Sequence, residues 1–273
     1  MASPSTVTPS DLLVQSLTTF RNDGDARAHE LAASVLRKLH ASEATPDVSL
    51  SDWLLAATGD DAESRARLAD FVGFAAHQLA SEGPPFDGAH ALAWDALVST
   101  ADSLNGSGVH PVGRPSFVSD KLFRRLVDEA HVQLSSVSGL GTSRVVGRAG
   151  DALAALAVSR QLRETVSSAL GFAVKPTYDA LFEYDPPGSH VGTHLDADGY
   201  EIVFHLLLEQ LVGSGDNGHS VLIAHLPKQS APTRITLAVG DAVVLRGRGT
   251  IHSWQPLGDD ERRILIAVGF RRA

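Results

Sequence analysis

Two histidines and one aspartate stand out in this sequence because their types and spacing suit a metal ion. His194 and Asp196 are separated by a single residue, and His252 lies further along the chain. Two imidazoles and one carboxylate are the ligand set of a non-haem Fe(II) site, which keeps the remaining positions open for a bidentate acid and O2. Residues two apart in a strand point to the same side. His194 and Asp196 can therefore reach one metal, and His252 from a neighbouring strand completes the set.

A single His-x-Asp is a weak signal, and the chain contains 12 histidines. The surrounding sequence strengthens the interpretation. His252 follows an apolar strand pattern that begins at Asp241, and Arg262 opens another strand ten residues after His252. A guanidinium at this place suits the far carboxylate of a dicarboxylic cosubstrate, which it can hold through two parallel hydrogen bonds.

The whole arrangement resembles the Fe(II)/2-oxoglutarate-dependent oxygenase superfamily, and within it the prolyl 4-hydroxylase-like branch. The shared pattern is a Tyr, a His-x-Asp ten residues later, a distant His followed by Gln-Pro, and a basic residue about ten further on. The resemblance covers about residues 173–271. The matching positions are Tyr184, His194, Asp196, His252, Gln255, Pro256 and Arg262.

The resemblance implies that the two histidines and Asp196 hold Fe(II), with 2-oxoglutarate as cosubstrate and O2 as oxidant. It implies Arg262 as the salt-bridge partner of 2-oxoglutarate, with Tyr184 as a hydrogen-bond donor to it. Arg263 is adjacent and can take the role instead, because strand alternation decides which arginine faces inward. Halogenating members of the family have a small residue where this chain has Asp196. The resemblance therefore implies hydroxylation, or another oxidation, with release of succinate and CO2.

The elements that must position these residues change character along the chain. Residues 1–110 show apolar residues at helical spacing and predict a helical N-terminal region that packs, caps the site or forms a homodimer. Residues 111–273 predict the oxygenase domain, with helices near 120–134 and 149–170 before the strands. The predicted strands are 173–184, 190–195, 201–208, 219–226, 233–238, 241–246, 250–255 and 262–270. The expected fold is α+β, with a double-stranded β-helix, or jelly roll, as its core.

Composition excludes several classes of protein. A net charge of −9 argues against nucleic acid as the main partner, because phosphates require a basic face. The chain has no Cys, which excludes disulfides, Cys-ligated zinc and iron–sulfur clusters. No apolar run approaches the roughly 20 residues of a membrane span, and the first ten residues lack the features of a signal peptide. We expect a cytoplasmic protein that binds no membrane.

The expected substrate is a small polar molecule, such as an amino acid or a natural-product intermediate. This expectation depends on polar residues predicted near the mouth of the barrel: Asp185, His190, Thr193, Glu201, Arg246, Arg248 and Trp254. A substrate carried on a peptide or carrier protein is an alternative. So are a jelly-roll metal-dependent dioxygenase that does not use 2-oxoglutarate and a binding module without catalysis.

Overall fold

The computed structural model of the chain describes residues 7–22, 26–41, 49–59, 61–81, 86–135, 144–211 and 219–273. Within these ranges, five helices come first and three more follow β1 and β2 in turn. The helices are α1 Pro9–Asn22, α2 Ala26–Ala41, α3 Leu50–Thr58, α4 Ala62–Ser81, α5 Gly88–Asn105, α6 Asp120–Ser135, α7 Asp151–Ala157 and α8 Arg160–Leu170. The strands are β1 Val109–Gly113, β2 Val145–Arg148, β3 Val174–Asp185, β4 Ile202–Leu211, β5 Ser220–His225, β6 Thr233–Leu237, β7 Ala242–Leu245, β8 Ile251–Trp254 and β9 Arg262–Arg272.

The strands form two antiparallel sheets that pack face to face. The larger sheet has the order β1-β7-β4-β9-β3-β2, and the smaller has the order β6-β5-β8. Apolar side chains from both sheets fill the space between them: Leu207, Leu222, Ile235, Leu237, Val243, Trp254 and Leu265. The prediction of an α+β jelly roll is confirmed.

The other face of the larger sheet is covered by α6, α7 and α8. Alternation along β9 shows how one strand serves both layers, because successive side chains point to opposite faces. Ile264 and Ile266 belong to the core shared with the helices, whereas Leu265 and Ala267 face the interior of the barrel. A shift of one residue on β9 therefore exchanges the inside of the barrel for its outside.

Two predicted elements differ from the structure. Segment 190–195 is not a strand, since its backbone pairs with β8 only at His194. Two residues later, the amide of Asp196 donates to the carbonyl oxygen of Gly247, which lies outside β8. The single helix predicted for 149–170 is two helices, α7 and α8. The break occurs because the Ser159 hydroxyl accepts the Leu162 N–H and caps α8 as a new helix.

The helical half has its own core, built by α1 to α5 and joined by Ile251 of β8. The proposed domain boundary after residue 110 falls inside β1, which pairs with β7 of the larger sheet. The division into 1–110 and 111–273 stays a prediction. Among the described helices, none combines the length and the apolar character needed to cross a membrane.

Candidate metal centre

His194, Asp196 and His252 come together inside the barrel. One potential ligand atom from each residue lies within 4.8 Å of the other two. Nε2 of His194 is 3.5 Å from Oδ1 of Asp196, and Nε2 of His252 is 3.6 Å from the same oxygen. The irregular segment before Asp196 and the regular strand β8 thus deliver side chains to one point.

Both imidazole rings are fixed by hydrogen bonds on the side away from Asp196. Nδ1 of His194 lies 2.8 Å from the carbonyl oxygen of Gly192, and Nδ1 of His252 lies 2.9 Å from that of Thr250. A carbonyl oxygen can only accept, so each Nδ1 carries the proton and each Nε2 presents a lone pair. Backbone bonds of this kind orient metal-binding histidines.

The carboxylate of Asp196 is buried and incompletely satisfied. Its Oδ2 has no hydrogen-bond partner among the described residues. This oxygen packs against the backbone of Gly247, where any side chain would collide with it. Burial alone would raise the pKa of Asp196, but the two imidazoles beside the carboxylate, His252 first and then His194, outweigh burial and lower the pKa to about 2. The group is therefore an anion with a free acceptor.

The two histidines differ in their titration. Burial lowers the pKa of His252 to about 3. Burial works in the same direction on His194, but the hydrogen bond and charge of Asp196 outweigh it and raise the pKa of that imidazole. A divalent cation suits this set of groups: the neutral imidazole of His252, the imidazole of His194 beside the Asp196 carboxylate, and the unpaired Oδ2 of Asp196. The residues present therefore fit Fe(II).

Three further polar residues act on this centre, and the sequence interpretation missed them. Glu183, Tyr200 and His205 each interact electrostatically with Asp196. Nδ1 of the buried His205 has no hydrogen-bond partner among the described residues, and burial lowers the pKa of that ring to about 4. A histidine in the otherwise apolar run Ile202–Leu208 was the available signal for His205.

Beyond Trp254, the interior holds a cluster of paired charges. Arg263 is fully buried, and its Nε and Nη2 donate to Oδ2 of Asp185 at 2.8 and 2.6 Å. Its Nη1 donates to Oγ of Ser220 at 2.8 Å, and its guanidinium lies over the Trp254 ring, 4.8 Å from the centroid. Arg144 binds the same carboxylate through Nε and Nη2 at 2.7 and 2.9 Å. Asp185 is thus held between two guanidinium groups.

Arg262 and Tyr184 do not face the three candidate ligands, contrary to the prediction. Arg262 is exposed at the start of β9 and lies with Tyr184 and His131 in a groove beside α6. Tyr184 packs against the core shared with the helices, opposite Ile264. Strand alternation is the reason, because Arg263 shares the inner face with Leu265 and Arg262 does not. Of the two arginines left open by the sequence, Arg263 is the inner one.

The residues predicted at the mouth of the barrel lie in different parts of the structure. Asp185 and Trp254 are buried in the interior. Arg246 stacks on Phe172, with its guanidinium 5.1 Å from the ring centroid, and His190 is exposed. These four positions do not lie together, and the substrate-binding role of the set stays a prediction.

Comparison with known proteins yields solved structures only. No protein-family model matches the chain, and no curated protein matches it. One similar structure is the non-heme alpha ketoglutarate dependent epimerase SnoN from nogalamycin biosynthesis. It has 14% identity and a TM-score of 0.47, over 63% of this chain and 81% of that chain.

Two other solved structures resemble this chain to a comparable degree. A prolyl-4-hydroxylase from Pseudomonas putida has 20% identity and a TM-score of 0.43, over 64% of this chain and 98% of its own. HygX from Streptomyces hygroscopicus, solved with nickel and 2-oxoglutarate bound, has 12% identity and a TM-score of 0.46, over 61% and 83%.

Proposed function

We propose that the protein is an Fe(II)/2-oxoglutarate-dependent oxygenase that hydroxylates a small polar molecule, such as an amino acid or a natural-product intermediate. The observation that carries the proposal is the convergence of His194, Asp196 and His252, with one ligand atom from each residue within 4.8 Å of the others. Three protein ligands leave the other coordination positions for cosubstrate and O2. When bound, Fe(II), 2-oxoglutarate and O2 supply the oxidation of a C–H bond, with release of succinate and CO2.

The protein's own residues orient the reactants. His194 and His252, fixed through their Nδ1–H groups, and the anionic Asp196 hold the cation. Arg263 takes the anchoring role that the sequence pattern suggested for Arg262. A guanidinium has five N–H donors, and three contacts to Asp185 and Ser220 leave Arg263 further donors for the far carboxylate of 2-oxoglutarate.

The polarity of the interior supports a substrate with hydrogen-bonding groups. The ring of His205 is buried and neutral, and its Nδ1 has no partner among the described residues. An unsatisfied buried nitrogen costs free energy unless a ligand or water pairs with it. Tyr200 adds a phenol that interacts electrostatically with the carboxyl groups of Glu183 and Asp196. An apolar substrate would leave Nδ1 of His205 unpaired.

A jelly-roll metal-dependent oxygenase that does not use 2-oxoglutarate is the second candidate. The observation in its favour is that Arg263 already binds a carboxylate, that of Asp185. A guanidinium neutralised inside the protein attracts a second carboxylate less strongly than a free one. The two candidates share the metal centre and differ only in the cosubstrate.

Anaerobic titration with Fe(II) and then 2-oxoglutarate separates the candidates, by the weak visible charge-transfer band of the chelate. We expect wild type and Arg262→Ala to develop the band at the same cosubstrate concentration. Arg263→Lys should need at least about tenfold more, since a point charge replaces a two-pronged donor. Circular dichroism checks that each variant is folded. Bound Fe(II) without any band in wild type would reject 2-oxoglutarate, and the absence of Fe(II) binding would reject the metal centre.

A further inference from the structure

Helix α4 packs directly on the backbone of the segment that carries His194 and Asp196. A Cβ atom on Gly73 would lie 3.1 Å from the amide nitrogen of Leu195 and 3.3 Å from its Cβ. One turn along α4, the ring of His77 lies against Gly192, where a Cβ would come within 2.6 Å of Nδ1. A side chain at Gly73 would press on the backbone of Leu195, and a side chain at Gly192 would displace the His77 ring. The helix therefore supports the irregular segment that no regular strand pairing supports.

The residues next to the metal ligands are built into the helical core. Leu195, which separates His194 from Asp196, packs against the core of α1 to α5. Ile251, which precedes His252, is fully buried as a member of that same core. The side chains of His194, Asp196 and His252 point toward one another, whereas those of the neighbouring Leu195 and Ile251 point into the helical core. Both ligand-bearing segments are thus anchored on their outer side by one cluster.

A third attachment lies at the turn between β7 and β8. Arg248 is buried there, and its Nη2 donates to the carbonyl oxygen of Ala66 in α4 at 2.9 Å. Nδ2 of Asn105, at the end of α5, donates to the carbonyl oxygen of Arg248 at 3.2 Å. The same turn accepts the amide of Asp196 through Gly247 at 3.0 Å. The helices therefore also reach the backbone that positions the carboxylate.

We propose that the helical region α1–α5 is a brace for the metal centre: it holds the two ligand-bearing segments at the spacing that a metal requires, and metal affinity depends on its packing against Leu195 and Ile251. The inference rests on the metal site of the proposed function. It gives the N-terminal region a role behind the ligands, which differs from a cap across the opening or a dimer face. Residues that orient metal ligands from outside typically change metal affinity by about 10- to 100-fold.

The test measures Co(II) binding to the apo-protein through the metal's visible absorption, without any turnover. Leu195→Ala removes the packing from the ligand segment, and Gly73→Val pushes α4 away from it. Leu17→Ala is the matched control, because Leu17 of α1 is fully buried in the same core and lies outside both ligand segments. We expect the first two variants to weaken Co(II) binding at least about tenfold. The control should lower the urea midpoint and leave the Co(II) dissociation constant within twofold of wild type.

Equal Co(II) affinity in wild type, Leu195→Ala and Gly73→Val would overturn the brace and leave the metal site standing. A wild type that does not bind Co(II) would remove the metal site and the brace together. A second measurement needs no variant, in case these fail to fold. Hydrogen exchange of the α4 amides should slow when Co(II) is added to wild type, because binding and bracing are linked reciprocally. Unchanged exchange in α4 would also overturn the proposal.

Discussion

The two ends of the barrel interior differ in whether their charged groups have partners within the protein. At the metal end, Oδ2 of Asp196 has no partner among the described residues and two imidazole lone pairs converge on the same carboxylate. At the other end, Asp185 is bound by two guanidinium groups, Arg144 and Arg263. Along β5 the ends are four residues apart, about 13 Å: Ala224 lies opposite His252, and Ser220 binds Arg263.

The difference shows where an outside partner is needed. A buried polar atom without a partner is costly, and the metal end carries that cost until a cation binds. The arginine end pairs its charges within the protein. Any cosubstrate carboxylate there must share Arg263 with Asp185. The comparison therefore predicts ligand-dependent effects at one end and stability effects at the other.

The largest effect is expected at the metal end. His252→Ala removes one of the three proposed ligands and should weaken Co(II) or Fe(II) binding by more than about 100-fold, beyond the usual cost of losing an outer partner. Isothermal titration of the apo-protein measures it. His190→Ala is the matched control, since His190 is exposed four residues before His194. If His252→Ala still binds the metal and His190→Ala does not, then His190 and not His252 is the ligand.

At the arginine end, the expected effect is on the free energy of unfolding. Asp185→Ala leaves the buried Arg263 without its carboxylate, whereas the half-buried Arg144 keeps its ion pair with Glu183. Breaking a buried pair in this way costs about 3–5 kcal/mol, measured by urea unfolding. Asp128→Ala on the exposed face of α6 should stay within about 0.5 kcal/mol of wild type. Equal stability of the two variants would mean that the cluster does not hold the barrel together.

The same cluster predicts a dependence of stability on pH. Burial alone would raise the pKa of Asp185, but the hydrogen bonds and charges of Arg144 and Arg263 outweigh burial and lower it. A lowered folded-state pKa gives stability that is present above the unfolded value, about 3.9, and is lost as pH falls through the folded value. Urea unfolding between pH 7 and pH 3 should show a steeper acid loss in wild type than in Asp185→Asn. Parallel curves would contradict this contribution.

The smallest effect is expected at Arg262. Its side chain is exposed on the outer face, so Arg262→Ala should change the free energy of unfolding by no more than about 0.5 kcal/mol. Its affinity for 2-oxoglutarate should equal that of wild type. A loss of cosubstrate affinity in this variant, with Arg263→Lys unaffected, would place the anchor on the outer arginine and shift the face assignment of β9 by one residue.

Regular elements with strong periodicity could be predicted from the sequence. Seven of the strands named from alternation and turn residues are present within a few residues of the expected bounds, because local pattern and tertiary burial agree there. Segment 190–195 could not be predicted in this way. It pairs at His194 alone and packs against Gly73 of α4, which is distant in sequence.

The sequence by itself determined the types and order of the proposed metal ligands, since His194, Asp196 and His252 can be read without coordinates. Only the tertiary structure decided the rest of the interior. Arg262 and Arg263 are chemically identical neighbours, and the register of β9 against β3 and β4 turns one into solvent and the other toward Asp185. Register depends on all the pairings of the sheet together, so no short motif contains it. The packing of α4 against Gly192 and Leu195 likewise exists only where the helices and the barrel meet.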